Sequence, residues 1–181
     1  MPGLAFVISP KTSLEKIADY PRRSFYLNLW EQYAYFEKTR EMRFTPPVQI
    51  VYALAQAIKE YFKEGEKKRY QRYTKNWRTL RDGLFSLGFQ FLLQEDDESH
   101  ILMTILEPRD PNFDFDKLHE RLYKKGFTIY PGKIGLEKTF RLANMGAINS
   151  KDMKNFLRVL QVSLRQIGVV IKKIKNTASD E

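Results

Sequence analysis

Glu66-Lys67-Lys68-Arg69-Tyr70-Gln71-Arg72-Tyr73 opens a stretch in which Tyr70, Tyr73, Trp77, Leu80, Leu84 and Leu87 recur at spacings of three and four until Gly88, where Phe89-Gln90-Phe91-Leu92-Leu93 takes over. Those spacings align side chains on one helix face, whereas the short aromatic run after the glycine has strand composition. Reading onward, strands are expected at 89–93 and 100–106, joined by Glu95-Asp96-Asp97-Glu98. That acidic turn lacks the glycine and ligand spacing of a metal loop and reads as a solvated hairpin connection. Asp114 or Asn112 caps a helix carrying Phe115, Leu118 and Leu122, with Gly126 as its stop. Strands follow at 127–130 and 139–143, and Ser150 caps a last helix with Met153, Phe156, Leu157, Leu160, Leu164 and Ile167 on one stripe. The order helix, strand, strand, helix, strand, strand, helix predicts an α+β unit with helices covering one face of a small sheet.

Upstream the pattern changes. Leu4-Ala5-Phe6-Val7-Ile8, bounded by Pro2-Gly3 and Ser9-Pro10, reads as a strand buried on both faces, as in a parallel sheet, but nothing upstream pairs with it. Residues 11–42 hold Tyr20, Phe25, Tyr26, Trp30, Tyr33, Tyr35 and Phe36 with little periodicity beyond a helix expected around 27–36. Such a stretch suits burial against a second subunit or an ordinary core. Thr45-Pro46-Pro47 then opens a helix with Val51, Leu54, Ala55, Ile58 and Phe62 on one face and Gly65 as its stop.

Composition narrows the function classes. The 181 residues hold 43% hydrophobic and 29% charged side chains, a globular profile, and no Cys, which excludes disulfides, thiolate nucleophiles and thiolate metal sites. His100 and His119 stand alone and read as structural. No apolar run reaches membrane-span length, so a soluble, cytoplasmic protein is expected. The net charge of +9 is concentrated. Residues 59–81 carry nine Lys or Arg against Glu60, Glu64 and Glu66, and residues 151–175 carry seven against Asp152, +6 in each case. These stretches read as solvated helix faces, the alternative being a non-catalytic interaction or basic nucleic-acid-binding module.

Three positions could carry chemistry. Thr45, as a helix cap beside Arg43, offers a hydroxyl, amide donors and a positive dipole end to an anion, or is a plain cap. Arg141 in Thr139-Phe140-Arg141-Leu142-Ala143 points away from Phe140 and Leu142, which suits bidentate grip on a carboxylate or phosphonate, or an exposed strand face. Lys133, in the turn Tyr130-Pro131-Gly132-Lys133, could contact an anion or be an ordinary surface lysine. No phosphate-binding glycine loop, nucleophile elbow or H-E-x-x-H occurs.

In order along the chain, several stretches resemble 2-aminoethylphosphonate–pyruvate transaminases. Met1–Ile8 resembles that family's V-P-G-F-x-F-V-I, Arg22–Gln32 its S-R-S-x-x-L-D-L-Y-D-Q, Arg43–Pro47 its W-R-F-T-x-P and Ala53–Ala57 its A-F-A-Q-A. Arg69–Tyr73, Gly126–Lys133 and Phe140–Gly146 match R-x-x-R-Y, G-F-V-I-Y-P-G-K and F-R-I-G-N-I-G. The resemblance implies a class V aminotransferase of fold type I that uses pyridoxal 5'-phosphate to move an amino group from 2-aminoethylphosphonate to pyruvate. It carries Thr45 onto the residue that reaches the cofactor phosphate across a dimer, and Arg141 onto the residue that holds the substrate's acidic end. Leu142 and Ala143 stand where the family has Ile and Gly.

The same resemblance places the family's Schiff-base lysine a few residues upstream of Met1-Pro2-Gly3, and no Lys here matches it. The expectation is the C-terminal half of such an enzyme. Residues 1–45 are then a remnant of the large cofactor-binding domain and its interface, 46–65 a linking helix, 66–175 the small α+β domain and 176–181 a tail. Alone it is expected to be inactive and to associate as a homodimer or with a complementing N-terminal half.

Overall fold

The structure, a computed structural model, describes residues 3–132 and 137–171. Its chain divides into two compact units, residues 1–63 and 64–181. Tail residues 176–181 and Lys133 lie outside the described residues.

The first unit holds α1 (Lys11–Lys16), α2 (Leu29–Thr39) and all of α3 (Val48–Glu64) but its last residue, Glu64, which belongs to the second unit, and none of the three helices buries a residue. Asn28 caps α2 by accepting the Glu31 N–H at 3.0 Å, and Arg40 ends it in the left-handed region at φ 61°. The expected strand Leu4–Ile8 does not form. No described residue pairs with it, and a strand without a neighbour leaves its backbone groups to water; Ile8 is 90% exposed. The helix expected from Thr45 begins later, at Val48. The Pro47 carbonyl accepts the N–H groups of Ile50 and Val51 at 3.0 Å, so Pro47 and not Thr45 stands at the cap. Thr45 and Pro46 each precede a proline, and a residue before proline is driven out of the helical region.

Gly65, at φ 85°, separates α3 from α4 (Glu66–Ser86), the first long element of the second unit. Trp77, Leu80 and Leu84 form the buried stripe of α4. A three-stranded antiparallel sheet follows in the order β1 (Leu102–Leu106), β3 (Thr139–Ala143), β2 (Tyr130–Pro131). Beneath it lie α5 (Phe115–Tyr123) and α6 (Ser150–Gln166). Met103, Ile105, Phe140 and Leu142 of the sheet join Leu118, Leu122, Met153, Phe156, Leu160 and Leu164 of the helices in one core.

Several local expectations are corrected. Segment 89–93 is a single bridge, Phe91 opposite Ile105, instead of a strand. The strand at 127–130 shrinks to Tyr130–Pro131, because the Phe127 N–H is spent on the Leu122 carbonyl at 3.0 Å in closing α5. Asp114 caps α5 through the Lys117 N–H at 3.0 Å, whereas Asn112 donates to the Gly168 carbonyl. Asn149, one residue before Ser150, caps α6 in a reciprocal box with Asp152. The acidic turn is not wholly solvated. Glu98 has a side chain 2% exposed, accepts Trp77 Nε1–H at 3.0 Å and faces Arg81 Nε at 3.4 Å.

One polar cluster closes the unit. Arg72 donates from Nε to Glu64 at 2.6 Å and from Nη1 to the carbonyls of Gly146 and Ile148 at 2.7 and 3.1 Å. Arg69 adds a bond to Glu64 at 2.7 Å. Hydrogen bonds from Arg72 and Arg69 lower the Glu64 carboxyl from its ordinary 4.5 to about 2. A lowered carboxylate contributes stability that is present above its unfolded value and fades as pH falls toward its folded one. The melting-temperature gap between wild type and Glu64→Gln is therefore expected to stay constant above pH 5 and to narrow from about 4.5 towards 2. A gap independent of pH in thermal melts would contradict this. Limited proteolysis of the intact chain is expected to cut first within residues 1–45 and to leave 66–168 whole, since buried residues concentrate in the second unit; early cuts inside 89–143 would refute it.

Candidate functional site

Strand β3 sits between β1 and β2, and its side chains alternate between the two sheet faces. Phe140 and Leu142 are in the core, while Arg141 and Ala143 are exposed on the open face. Register then decides the neighbours of Arg141: Thr104 of β1 is directly opposite on one side, Tyr130 of β2 on the other. Directly opposed residues share a face, with Cβ atoms about 5 Å apart. Arg141 Nη2 donates to the Pro131 carbonyl at 3.4 Å, a long bond that leans the guanidinium toward β2. Among the described residues that is its one partner, so most of its fork faces outward.

Both ends of β3 are pinned. Gly132 donates its N–H to the Thr139 carbonyl at 2.7 Å, and a Cβ on Gly132 would lie 2.7 Å from that same oxygen. Glycine is required there because the two backbones touch. At the other end Asn144, fully buried, accepts nothing through its side chain but donates Nδ2–H to the carbonyls of Tyr73 and His100 at 3.2 and 3.0 Å. Its backbone N–H reaches the Ile101 carbonyl at 3.1 Å, and the Gly146 N–H reaches Tyr73 Oη at 3.3 Å. Arg69-x-x-Arg72-Tyr73 and Asn144-Met145-Gly146, distant in sequence, thus meet as the support behind Arg141's strand.

Thr45 belongs to the first unit and is exposed. Arg43, expected as its helper, is occupied elsewhere. Its guanidinium lies 5.1 and 5.2 Å from the ring centroids of Phe25 and Phe44, and it donates to the Phe25 carbonyl at 3.3 Å. Glu31 faces it at 3.9 Å. Arg43 therefore holds the aromatic segment together.

The two histidines are structural. His100 stacks on Trp77 at 4.3 Å and shares a hydrogen bond with Thr74, while His119 stacks between Phe115 and Tyr123. No group of three His, Asp or Glu among the described residues could hold a metal ion. A hollow lined by Phe89, Leu106, Glu107, Phe113 and Lys138 includes neither Thr45 nor Arg141. Burial pushes the Glu107 carboxyl up there.

No family model matches the chain. It is 36% identical over 170 residues to 2-aminoethylphosphonate–pyruvate transaminase 1 of Cupriavidus pinatubonensis, covering 93% of this chain and 45% of that protein. A 2-aminoethylphosphonate–pyruvate transaminase of Pseudomonas entomophila is 36% identical over 171 residues, covering 94% and 46%. The chain is homologous to the C-terminal half of these transaminases. It spans about half the length of the curated relatives it matches. Solved structures agree on the fold: pyridoxamine-pyruvate aminotransferase from Mesorhizobium loti superposes with a TM-score of 0.75 at 20% identity, covering 91% of this chain and 43% of that one. Alanine–glyoxylate aminotransferase from Nostoc sp. gives 0.67 at 23% identity, covering 88% and 42%. The architecture is thus a fold type I aminotransferase's, matched over part of its length. Among the described residues no helix is long and apolar enough to cross a membrane.

Tyr130 and Thr104 escaped the sequence reading. Alternation places Tyr130 opposite Ile129, but only the pairing register brings it beside Arg141, and no local pattern encodes that register. Gly132→Ala is expected to cost about 1–3 kcal/mol, because the new methyl forces Thr139 and Gly132 apart. It should also loosen Tyr130 from its place opposite Arg141. Chemical denaturation with hydrogen exchange at the Gly132 amide checks both, and unchanged protection there would refute the assigned close approach.

Proposed function

We propose that this chain supplies the substrate-anion-binding half of a pyridoxal-phosphate-dependent class V aminotransferase acting on 2-aminoethylphosphonate and pyruvate. The observation that carries the reading is Arg141, exposed at the centre of the open sheet face, within the stretch Phe140–Gly146 that resembles the family's F-R-I-G-N-I-G. A planar guanidinium with its fork outward suits a bidentate contact with the acidic end of a substrate.

Cofactor chemistry needs more than this segment offers. When bound, pyridoxal phosphate supplies an electron sink for the amino group being moved. Its lysine partner is activated by desolvation or a neighbouring cation. Every lysine among the described residues is exposed. Thr45, with its exposed hydroxyl at the approach to α3, fits a contact to the cofactor phosphate and nothing more. The described residues therefore fit a phosphate contact and a substrate contact, and not the cofactor's covalent partner. We assign that partner to a complementing N-terminal segment, with dimerisation supplying the Thr45 contact in trans. By itself the chain is inactive in this reading.

Two measurements test it. Borohydride treatment of the chain with pyridoxal phosphate is expected to label scattered surface lysines; a single saturable site with 2-aminoethylphosphonate turnover would overturn the reading. Co-expression with the N-terminal half of the Cupriavidus pinatubonensis relative is expected to yield turnover. In that complex Arg141→Lys keeps the charge and loses the fork, so kcat/KM should fall about 30- to 150-fold. Wild-type kcat/KM in the variant would return Arg141 to an ordinary strand-face residue.

A further inference from the structure

Arg141 does not stand alone on the open face. The row that crosses the sheet at its position reads Thr104, Arg141, Tyr130, one residue from each strand. The next row on the same face, Leu102 opposite Ala143, is apolar. Tyr130 is 57% exposed and Thr104 half-buried, so each hydroxyl-bearing residue shares Arg141's face on a strand directly beside it. Neighbouring strands are about 4.8 Å apart, the separation at which flanking donors can reach one small anion.

We propose that Thr104, Arg141 and Tyr130 form a single oxyanion subsite, in which the two hydroxyls select a tetrahedral phosphonate- or phosphate-type group over a planar carboxylate. The proposal rests on the reading that Arg141 holds the substrate's acidic end. A guanidinium fork presents parallel N–H bonds in one plane, which satisfies both oxygens of a carboxylate completely. It cannot by itself prefer a group with a third oxygen, because that oxygen projects out of the fork plane. Donors from the flanking strands address it. Hydroxyl hydrogens rotate to suit, so each can donate to such an oxygen.

The two hydroxyls are unequal. The Pro131 carbonyl draws the guanidinium toward β2, the strand that carries Tyr130. Thr104 has a β-branched, stiff side chain and is partly covered, so its hydroxyl is held with little freedom. Tyr130 sets the preference and Thr104 adds to it. The same geometry gives Tyr130-Pro131-Gly132 a purpose beyond a turn: Gly132 holds β2 against β3, and Tyr130 is delivered to the anion.

The test uses the 181-residue chain with isotope-labelled arginine, following the Arg141 Nε–H resonance during titration with methylphosphonate, inorganic phosphate and acetate. Methylphosphonate and phosphate are expected to bind more tightly than acetate. Tyr130→Phe should weaken methylphosphonate about tenfold and Thr104→Val about threefold, each leaving acetate within twofold, as for a hydrogen bond to a charged group at a partly exposed site. Equal losses for both anion shapes, or no loss in Tyr130→Phe, would overturn the subsite while leaving Arg141 in its role. Arg141→Lys binding all three anions like wild type would overturn the role of Arg141 itself. A site that takes phosphate but not methylphosphonate would belong to a free phosphate and sever the link to the substrate. No response of Arg141 to any anion would remove both assignments.

Discussion

Arg72 is the residue through which the second unit is closed. It is a donor to one carboxylate, Glu64, and to two backbone carbonyls, Gly146 and Ile148, in the loop between β3 and α6. Asn76, buried one turn further along α4, donates to the Ile148 carbonyl as well. These carbonyls belong to a connection that makes no regular ladder, so without α4 they would need water or would go unpaired. Burying them against a helix that has the donors built in converts a liability into a fixed joint. The start of α6 is consequently placed, and with it the stripe from Met153 to Leu164 that fills the core.

The two units differ in what holds them. The second has one contiguous core, in which Leu84, Ile105, Leu118, Leu122, Phe140 and Leu160 are wholly buried. The first is held by ring contacts and ion pairs: Phe25 and Tyr26 against Phe44, Arg43 over two of those rings, Arg22 and Arg43 on Glu31. Pairs of this kind on an exposed surface contribute about 0–1 kcal/mol each. Apolar side chains such as Phe6, Phe25 and Phe62 remain in water there. The first basic stretch also turns out to be only partly a solvated face, since Arg69, Arg72 and Arg81 are committed to Glu64, Glu95 and Glu98.

What could be read from the sequence follows from which interactions are local. Helix period and glycine stops are written within a few residues, so α4, α5 and α6 fall close to where they were expected, and the exposure of Arg141 follows from the same alternation that buries Phe140 and Leu142. Caps shifted by a residue or more, as at Asn149 and Pro47, because neighbouring polar residues and consecutive prolines compete for the same position. Glu98 could not be read at all. An acidic run looks solvated until Trp77 and Arg81, distant in sequence, supply the donors that let one carboxylate be buried. Strand lengths failed for a similar reason: Phe127 and Phe91 have strand composition, yet a helix end and a one-residue bridge claim their backbones.

The candidate site shows why fold and chemistry cannot be separated in so small a sheet. Side chains on a strand alternate with a period of two, so a slip of one residue in β3 would bury Arg141 and expose Phe140 and Leu142. Burying an unpaired guanidinium and exposing two core residues both oppose that slip. Its remaining freedom is removed at the two ends, by Gly132 against Thr139 and by Asn144 on the carbonyls of Tyr73 and His100. The first anchor holds through a backbone hydrogen bond and the second through a buried side chain. Arg141 is therefore free to present an almost unpartnered fork, because the constraints that fix its position act on backbone and on residues behind it. A cation held by its own ion pair would be equally well placed but would have to break that pair to bind. Here the positioning is done by other groups, and apart from its bond to the Pro131 carbonyl the Arg141 guanidinium keeps its donors outward.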